Sequence, residues 1–174
     1  SLSLANWKLA FCGAEPITAK TLIDFERRFS PNGFSGDTFY PCYGLAEATL
    51  LVAGPRGPKK IDVVSLDRTA YQQGRIEILS AEAVARTSKR KRQDLVACGA
   101  PVKDTELAIV DPKSARSLDE DVIGEIWVRG GGVTEGYWNE STDQIPGDSE
   151  RFGARLEGGR SGFFRTGDLG FVHD

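Results

Sequence analysis

The chain has 174 residues, of which 40% are hydrophobic, and this is enough apolar material for a core of domain size. Its 22 basic and 25 acidic residues leave a formal net charge of -3, which argues against nucleic acid as a partner, because phosphate-binding domains usually carry net positive charge. No apolar run reaches transmembrane length and no signal peptide opens the sequence, so we expect no transmembrane segment. Three scattered cysteines that read as free thiols lead us to expect a cytoplasmic protein.

The first third of the chain is predicted to form a β-α-β piece of a parallel sheet. Residues 7–12 make a short apolar run closed by Gly13, as in a buried strand. Thr18 is placed to cap a helix from about Ala19 to Phe29, in which apolar residues recur at helical spacing. A second extended run covers residues 38–43, and two strands joined through a helix favour parallel pairing.

Beyond residues 54–58, which are rich in glycine and proline, alternating apolar and polar residues predict an antiparallel, barrel-like β portion. The predicted strands are Asp62–Ser65, Arg75–Leu79, Glu106–Val110 and Gly124–Val128. Ser80 is predicted to cap a short helix that continues through Ala85 and precedes the basic run Lys89–Arg92. Residues 139–162 are polar and glycine-rich, which predicts a long surface loop.

Several single residues are expected to be structural. The three cysteines are scattered and odd in number, which favours buried free thiols over a zinc site or a disulfide framework; they are Cys12, Cys42 and Cys98. Trp127 and Trp138 are expected to be packing residues, and Arg165 is expected to form a structural salt bridge rather than to reach a phosphate. The only histidine, His173, is not expected to be catalytic.

Three glycine-marked turns carry the residue types of a nucleotide site. They are Gly13–Pro16, Tyr43–Glu47 and Arg165–Gly170. The ring of the tyrosine can lie against a flat heterocycle, and the following Gly44 allows close approach of the backbone to a ligand. Glu47 can hold a hard cation beside phosphate oxygens. Asp168 can accept two hydrogen bonds from a vicinal diol such as a ribose. Each turn alone also fits a solvent-facing loop, but the three together favour a site that activates acids with a nucleotide.

These motifs resemble those of the adenylate-forming enzymes, the superfamily of acyl-CoA synthetases, luciferases and peptide-synthetase adenylation domains. They are most similar to the fatty-acyl-AMP ligases, and the pattern also includes Gly124–Val128 leading to Gly136–Asn139. The resemblance covers essentially the whole chain and implies an α/β fold that is part of the large N-terminal domain. It divides the chain into a sheet portion at 1–65, a family-specific insertion at 66–97 and an antiparallel β portion at 98–174.

The resemblance also implies how ATP and Mg²⁺ would be bound. The backbone of Gly13, Ala14 and Glu15 would line the adenine pocket. Tyr43, followed by Gly44, would stack on the base.

The remaining implied roles concern the phosphates, the metal and the ribose. Glu47 would be the catalytic residue that binds the magnesium ion bridging the ATP phosphates, and Asp168 would hold the ribose hydroxyls. Ala46 stands where most of the superfamily has a threonine that contacts the α-phosphate. The fatty-acyl-AMP ligases often have alanine at this place, and Thr49 is a candidate for the missing contact.

The implied reaction is attack of a fatty-acid carboxylate on the α-phosphorus of ATP, which gives acyl-adenylate and pyrophosphate. It needs positioning and charge neutralisation, and no protein nucleophile. The insertion resembles the one that is thought to hinder CoA access in fatty-acyl-AMP ligases, so that the acyl group passes to a phosphopantetheine-bearing acyl carrier protein. The basic run Lys89–Arg92 within it has three interpretations: a solvated loop, a nuclear signal or phosphate patch, and a surface for an acidic carrier protein.

Two other functions stay open. An ordinary acyl-CoA ligase would be favoured by a shorter spacing between Glu47 and Gly99. A non-catalytic adenylate-like module that binds a partner or a lipid is disfavoured by the intact aromatic, metal and ribose motifs. The superfamily's phosphate loop would lie upstream of Ser1 and its small C-terminal domain beyond Asp174, so we expect the isolated chain to be an inactive part of a longer enzyme.

Overall fold

The computed structural model describes residues 2–57, 60–138 and 148–173. The strands in these ranges are β1 Ala10–Cys12, β2 Phe39–Pro41, β3 Ala53–Gly54, β4 Val63–Asp67, β5 Arg92–Val96, β6 Ala100–Pro101, β7 Thr105–Asp111, β8 Arg116–Ser117, β9 Gly124–Gly130 and β10 Phe164–Gly170. The α-helices are α1 Ala19–Phe29, α2 Arg68–Gln72, α3 Ala81–Arg86 and α4 Asp148–Arg151. The chain forms two compact units, the first from Ser1–Gly44 with Ala53–Ala100 and the second from Leu45–Val52 with Pro101–Asp174. The three-part division of the chain made from the sequence stays a prediction.

The first unit begins with the predicted β-α-β piece. Strands β1 and β2 pair in parallel, with Ala10 opposite Phe39, and α1 connects them. The helix has the predicted bounds because its apolar residues lie on one stripe. Thr18 occupies the N-cap position in an extended conformation, but its side chain makes no capping hydrogen bond.

The core of the first unit lies between α1 and the two parallel strands. Ala10, Leu22, Phe34 and Phe39 are buried together, and Val96 of β5 packs against this cluster. Burial of each large apolar side chain contributes about 1.5–3 kcal/mol, so the cluster fixes α1 directly behind the turn that follows β1.

Residues 66–97, which the sequence predicts to be an insertion, are an ordered part of the first unit. Strands β4 and β5 are antiparallel, from Val63 opposite Val96 to Asp67 opposite Arg92. The predicted helix after Ser80 is confirmed as α3, and the Ser80 hydroxyl accepts a hydrogen bond from the Ala83 N–H at 3.3 Å.

One predicted strand of this segment is wrong. Residues Arg75–Leu79 form only an isolated bridge, between Ile78 and Leu66. The Arg75 N–H donates to the Ala70 carbonyl of α2 at 3.0 Å, so the first residue of the predicted strand belongs to the turn that ends this helix. The next helix begins at Ala81, and too few residues are left for a ladder.

The second unit contains an open antiparallel sheet of four strands in the order β10-β9-β7-β8. The predicted strands at 106–110 and 124–128 are confirmed as β7 and β9, which pair with Leu107 opposite Val128. One face carries a buried cluster that consists of Ala108, Val110, Trp127, Leu156 and Phe163.

The two tryptophans that were predicted to be packing residues differ in their burial. Trp127 is 2% exposed, as predicted for a packing residue, whereas Trp138 is 90% exposed and the same prediction is wrong for it. Trp138 lies beyond the end of β9 in an irregular segment, where no sheet face covers its ring. Of the predicted surface loop at 139–162, residues 139–147 lie outside the described residues, and the remainder contains α4 and a bridge between Ala154 and Phe163.

The three cysteines are free thiols that are partly buried: Cys12, Cys42 and Cys98. Burial raises the pKa of each thiol, and a raised pKa makes a thiol a poor nucleophile at neutral pH. Among the helices of the described ranges, none is both long and apolar enough to cross a membrane.

Candidate functional site

The predicted adenine turn lies at the carboxyl end of β1. A Cβ atom added to Gly13 would lie 3.0 Å from the Cys42 carbonyl oxygen, so glycine permits the ends of β1 and β2 to approach each other here. The next residue, Ala14, has a φ of 66°, a left-handed conformation that is uncommon outside glycine. The turn is exposed from Gly13 through Glu15, so its backbone groups can be reached by a ligand.

Tyr43 lies at the same edge of the first unit, directly after β2. Its N–H donates to the Ala53 carbonyl and its carbonyl accepts from the Ala53 N–H, both at 3.0 Å. The ring is half-buried, and Gly44 follows it. Because ligands of open α/β sheets bind outside the carboxyl ends of parallel strands, the turn after β1 and the ring after β2 are placed to line one binding surface.

Glu47 belongs to the second unit, on a short 3-10 helix at Ala46–Ala48. Two consecutive residues after it, Thr49 and Leu50, have left-handed φ angles of 54° and 72°. Such a conformation costs of order 1–3 kcal/mol for a residue with a side chain and persists only where its surroundings enforce it. The turn carrying Glu47 is therefore held in place by other parts of the unit.

The segment after β9 supplies those restraints. The Thr134 N–H donates to the Glu47 carbonyl at 2.8 Å, and the Thr49 hydroxyl donates to the Gly132 carbonyl at 2.6 Å. A contact from Thr49 to a phosphate, as the sequence suggested, would require the second of these hydrogen bonds to break, because a hydroxyl has one proton to donate.

The side chain of Glu47 is also held. The Tyr137 hydroxyl donates to Glu47 Oε1 at 2.6 Å, and Arg151 Nη1 lies 3.5 Å from the same hydroxyl oxygen. The hydrogen bond from Tyr137 is the main cause that lowers the pKa of Glu47, and the charge of Arg151 acts in the same direction. Glu47 is therefore a carboxylate at neutral pH.

The sequence did not assign a role to Tyr137, although it lies in the Gly136–Asn139 motif. The available signal was the motif itself, because Tyr137 belongs to the family pattern. Its ring also packs edge-to-face against Phe152, with ring centroids 5.3 Å apart. Its hydroxyl supports the carboxylate of Glu47.

The donor set at Glu47 fits a magnesium ion that takes most of its ligands from a nucleotide. Mg²⁺ in nucleotide sites is usually bound by one or two carboxylates together with substrate phosphates and water. Within the described residues no three His, Cys, Asp or Glu side chains gather into a metal-binding group. A single ionised carboxylate on a fixed turn suits a metal ion of this kind, and it does not suit a metal ion whose ligands all come from the protein.

Asp168 lies on β10, where the register with β9 shifts between Arg165 and Leu169. Such a shift marks a β-bulge or another irregularity of the pairing, and bulges redirect side chains and often occur beside functional sites. Asp168 is exposed, and its N–H donates to the Thr166 hydroxyl at 3.0 Å. That hydroxyl donates in turn to the Ile126 carbonyl of β9 at 2.7 Å, so the backbone at Asp168 is tied to the sheet.

A buried carboxylate supports the Asp168 turn from below. Glu125 of β9 is 6% exposed and accepts hydrogen bonds from the Gly167 N–H at 3.1 Å and from Trp127 Nε1 at 3.0 Å. Arg165 Nη2 lies 3.1 Å from Glu125 Oε2, which confirms the structural salt bridge expected for Arg165. Glu125 was not predicted from the sequence, although an acidic residue in an otherwise apolar predicted strand is a signal of a paired buried charge.

The predicted site residues are therefore divided between the two units. The adenine-side residues belong to the first unit, and they are Gly13, Ala14, Glu15, Tyr43 and Gly44. The phosphate-, metal- and ribose-side residues belong to the second, and they are Ala46, Glu47, Thr49 and Asp168. In the second unit, Arg151 lies close to both parts of the site: it is near Tyr137, and its Nη2 would lie 3.8 Å from a Cβ added at Gly167.

Comparison with known proteins identifies the family of the chain. Residues 2–138 match the AMP-binding family, described as AMP-binding enzyme. The chain is 39% identical to the medium-chain-fatty-acid–[acyl-carrier-protein] ligase JamA of Moorena producens, with 100% of this chain and 28% of that protein covered. It is 34% identical to the long-chain-fatty-acid–AMP ligase FadD32 of Mycolicibacterium smegmatis, with 99% and 28% covered.

A solved structure shows the same fold. The fatty acyl-adenylate ligase from L. pneumophila, in complex with acyl adenylate and pyrophosphate, superposes with a TM-score of 0.85 at 36% identity, over 99% of this chain and 28% of that one. The chain thus spans a little over a quarter of the length of these relatives. The α/β fold expected for part of the N-terminal domain of an adenylate-forming enzyme is confirmed, and the chain belongs to the AMP-binding enzyme family.

Proposed function

We propose that the protein containing this chain is a fatty-acyl-AMP ligase, which activates a fatty acid with ATP and passes the acyl group to an acyl carrier protein. The observation that carries the proposal is the ionised Glu47, fixed by Tyr137 on a turn of the unit that also presents Asp168. A metal-side and a ribose-side carboxylate in one unit suit a site that binds ATP. Relatives named as fatty-acid ligases support the choice of acid.

In the proposed reaction, a carboxylate oxygen of the fatty acid attacks the α-phosphorus of ATP. The new bond forms as the bond from that phosphorus to the bridging oxygen breaks, and the electron pair leaves with pyrophosphate. Tyr43 would orient the adenine and Asp168 the ribose, so that the α-phosphorus is presented at a fixed angle to the carboxylate. A magnesium ion bound at Glu47 would neutralise charge on the phosphate oxygens.

The insertion at 66–97 bears on the acyl acceptor. It contains a paired strand, β5, that packs against α1, together with two capped helices, so it is an ordered element able to restrain other parts of a longer enzyme. We propose that it disfavours CoA and leaves the phosphopantetheine arm of a carrier protein as the acceptor. The name of the relative JamA, an acyl-carrier-protein ligase, supports this choice. A cytoplasmic location stays a prediction.

The proposal is tested with the full-length protein that contains the chain. Fatty-acid-dependent exchange of pyrophosphate into ATP would measure adenylation, and acyl transfer would then be compared between a holo acyl carrier protein and CoA. We expect exchange with fatty acids and transfer to the carrier protein, with little acyl-CoA. Efficient acyl-CoA formation would show an ordinary acyl-CoA ligase, and absence of exchange with every fatty acid would show a non-catalytic binding module.

The proposal includes the inactivity of the 174-residue chain alone. It spans only 28% of the length of the acyl-carrier-protein ligase JamA, and a complete adenylation site needs residues from a larger part of such an enzyme. Purified chain should show no exchange. Exchange by this chain would contradict the expectation directly.

A further inference from the structure

The first unit carries a concentrated basic surface beside the predicted adenine turn. Asp24 lies in the middle of α1 and is partly exposed. Lys20, one turn before it, forms an ion pair with it, and Arg27 Nη1 lies 3.3 Å from Asp24 Oδ1. The pKa of Asp24 is lowered, first by the hydrogen bond from Lys20 and also by the charges of Arg27 and of Lys89 from the insertion. Two separate segments of the chain therefore place cations around one carboxylate.

The residues of the basic run in the insertion lie in two different structural environments. Arg92 is turned toward the fold: its Nε lies 2.7 Å from Asp94 Oδ1 and its Nη1 donates to the Val84 carbonyl at 3.2 Å. The preceding residues, Lys89–Lys91, form a 3-10 helix whose last N–H donates to the Ser88 carbonyl at 2.9 Å. The backbone of this stretch is therefore an ordered turn.

The three side chains of this turn face solvent. Lys89, Arg90 and Lys91 are all exposed, and within the described part of the chain none of them forms an ion pair within 4.0 Å. β5, which directly follows the turn, packs against α1, and this contact explains how the turn comes near Asp24. We define the basic face as Lys20, Arg27, Lys89, Arg90 and Lys91.

The composition of the basic face points to an acidic partner. Lys20, Arg27 and Lys89 place three positive charges around one carboxylate, Asp24. Arg90 and Lys91 lie on the same exposed turn as Lys89, on a chain whose formal net charge is -3. The excess of positive charge is thus local, and a local charge of one sign increases the rate of encounter with a partner of the opposite sign.

The position of the basic face indicates which kind of acidic partner would bind there. Lys20 lies in the first turn of α1, and the Gly13–Pro16 turn immediately precedes that helix. At a rise of 1.5 Å per residue, the helical part of the face extends only about 10 Å from Lys20 to Arg27. A partner bound there would sit beside the edge of the sheet where the nucleotide is proposed to bind. This placement suits a protein that must collect the product of the site.

We propose that the basic face is the docking surface for the acyl carrier protein, an acidic protein that brings its phosphopantetheine arm to the acyl-adenylate. The inference rests on the proposed function, since it assigns the place where the proposed acceptor binds. Docking lowers the KM for the carrier protein, while formation of the acyl-adenylate does not use these residues.

The test uses the full-length protein with a double charge reversal, Lys89→Glu with Lys91→Glu. The matched control is Lys103→Glu with Lys113→Glu, which makes the same change of charge at two exposed lysines of the second unit. Three activities are measured for each protein: pyrophosphate exchange with a fatty acid, acyl transfer to free pantetheine, and acyl transfer to a holo acyl carrier protein over a range of salt concentrations.

We expect the Lys89/Lys91 variant to raise the KM for the carrier protein by about tenfold at low salt, because loss of electrostatic steering acts on encounter. The difference should shrink as ionic strength rises. Exchange, transfer to pantetheine and the control variant should stay at the level of the unsubstituted protein. A carrier protein in which two surface acidic residues are changed to lysine should restore part of the lost affinity.

Each other outcome overturns the inference in a distinguishable way. An unchanged KM, or an equal change in the control, would show that the basic face does not dock the carrier protein. Loss of exchange in the Lys89/Lys91 variant would place these residues in the adenylation machinery. An unchanged KM together with lost cosedimentation on phosphatidylglycerol vesicles would assign the face to a membrane surface. Failure of the unsubstituted protein to transfer to any carrier protein would instead refute the proposed acceptor itself.

Discussion

Replacement of Tyr137 by phenylalanine removes a single hydroxyl group and tests whether the support of Glu47 matters for metal-dependent adenylation. The hydrogen bond of 2.6 Å between the Tyr137 hydroxyl and Glu47 Oε1 has the short length of a bond to an ionised acceptor. A hydrogen bond to a charged group contributes about 1.5–3 kcal/mol when it is shielded from water. Glu47 is only partly buried, so water replaces part of the lost bond and we expect about 1 kcal/mol, or about a fivefold effect.

The effect should appear in the magnesium dependence of the full-length enzyme. Without the hydroxyl group the carboxylate of Glu47 is less well oriented, so Tyr137→Phe should raise the magnesium concentration for half-maximal pyrophosphate exchange by about fivefold. The maximal rate at saturating magnesium should change less. Tyr71→Phe, at a tyrosine of α2 outside the site, is the matched control.

The same variant should change the pH dependence in a defined direction. Tyr137 lowers the pKa of Glu47, so its removal moves that pKa upward, toward the ordinary glutamate value. The metal-binding carboxylate form is present above the pKa and is lost as the pH falls through it. The acidic limb of the exchange profile should therefore lie at higher pH in Tyr137→Phe than in the unsubstituted enzyme. If both the magnesium titration and the acidic limb coincide with those of the unsubstituted enzyme, Tyr137 does not support Glu47.

Three further predictions concern other parts of the chain. Asp168→Ala should reduce exchange at least about tenfold, because hydrogen bonds from ribose to a carboxylate contribute about 1.5–3 kcal/mol each. Its melting temperature should stay close to that of the control Asp119→Ala, a change at an exposed acid elsewhere. Equal activity of the two variants would remove Asp168 from the site. Glu125→Ala leaves the partly buried guanidinium of Arg165 unpaired and should lower the free energy of unfolding by about 3 kcal/mol in urea titration. Arg160 forms an exposed ion pair with Glu106, so Arg160→Ala should cost less than about 1 kcal/mol. Similar losses in the two variants would show that burial of the Glu125 pair is unimportant. Shortening residues 66–96 in the full-length enzyme should raise CoA thioester formation and leave adenylation largely intact. Contacts of a few kcal/mol are enough to keep an equilibrium between two domain arrangements almost wholly in one of them. Unchanged CoA ligation would mean that the insertion does not control the acceptor.

Local patterns were sufficient for the parts of the fold whose stabilisation is local or repetitive. Helix α1 has its predicted bounds because an apolar stripe at helical spacing has one way to be buried. Strands β7 and β9 were predicted from alternation that ends in turn residues, and each pairs along six positions of the other. The segment Arg75–Leu79 shows the same alternation, but the end of α2 and the start of α3 leave it too short to pair. Sequence alone does not show how many residues a preceding turn will use.

The candidate site was predicted only as far as its motifs extend. Tyr43, Glu47 and Asp168 were named because their residue types and neighbours are informative, and their roles stay predictions. The supports were missed: Tyr137 contacts Glu47 across 90 positions, and Glu125 contacts Gly167 across 42. A side chain whose partner is distant in sequence leaves no local pattern, so only the folded chain shows which residues hold the site.

The long separation between Glu47 and its supports also has a consequence for the order of folding. Thr49 and Gly132 are 83 positions apart, and Tyr137 is farther still from its partner. The entropy of closing such a loop is lost before the contact is gained, and contacts distant in sequence generally form late. During refolding, α1 and the β7–β9 pair should acquire their structure before the left-handed turn after Glu47 becomes fixed. Catalytic competence of the full-length enzyme should therefore return after most of the circular dichroism signal, and the newly synthesised full-length enzyme would be largely structured before it is active.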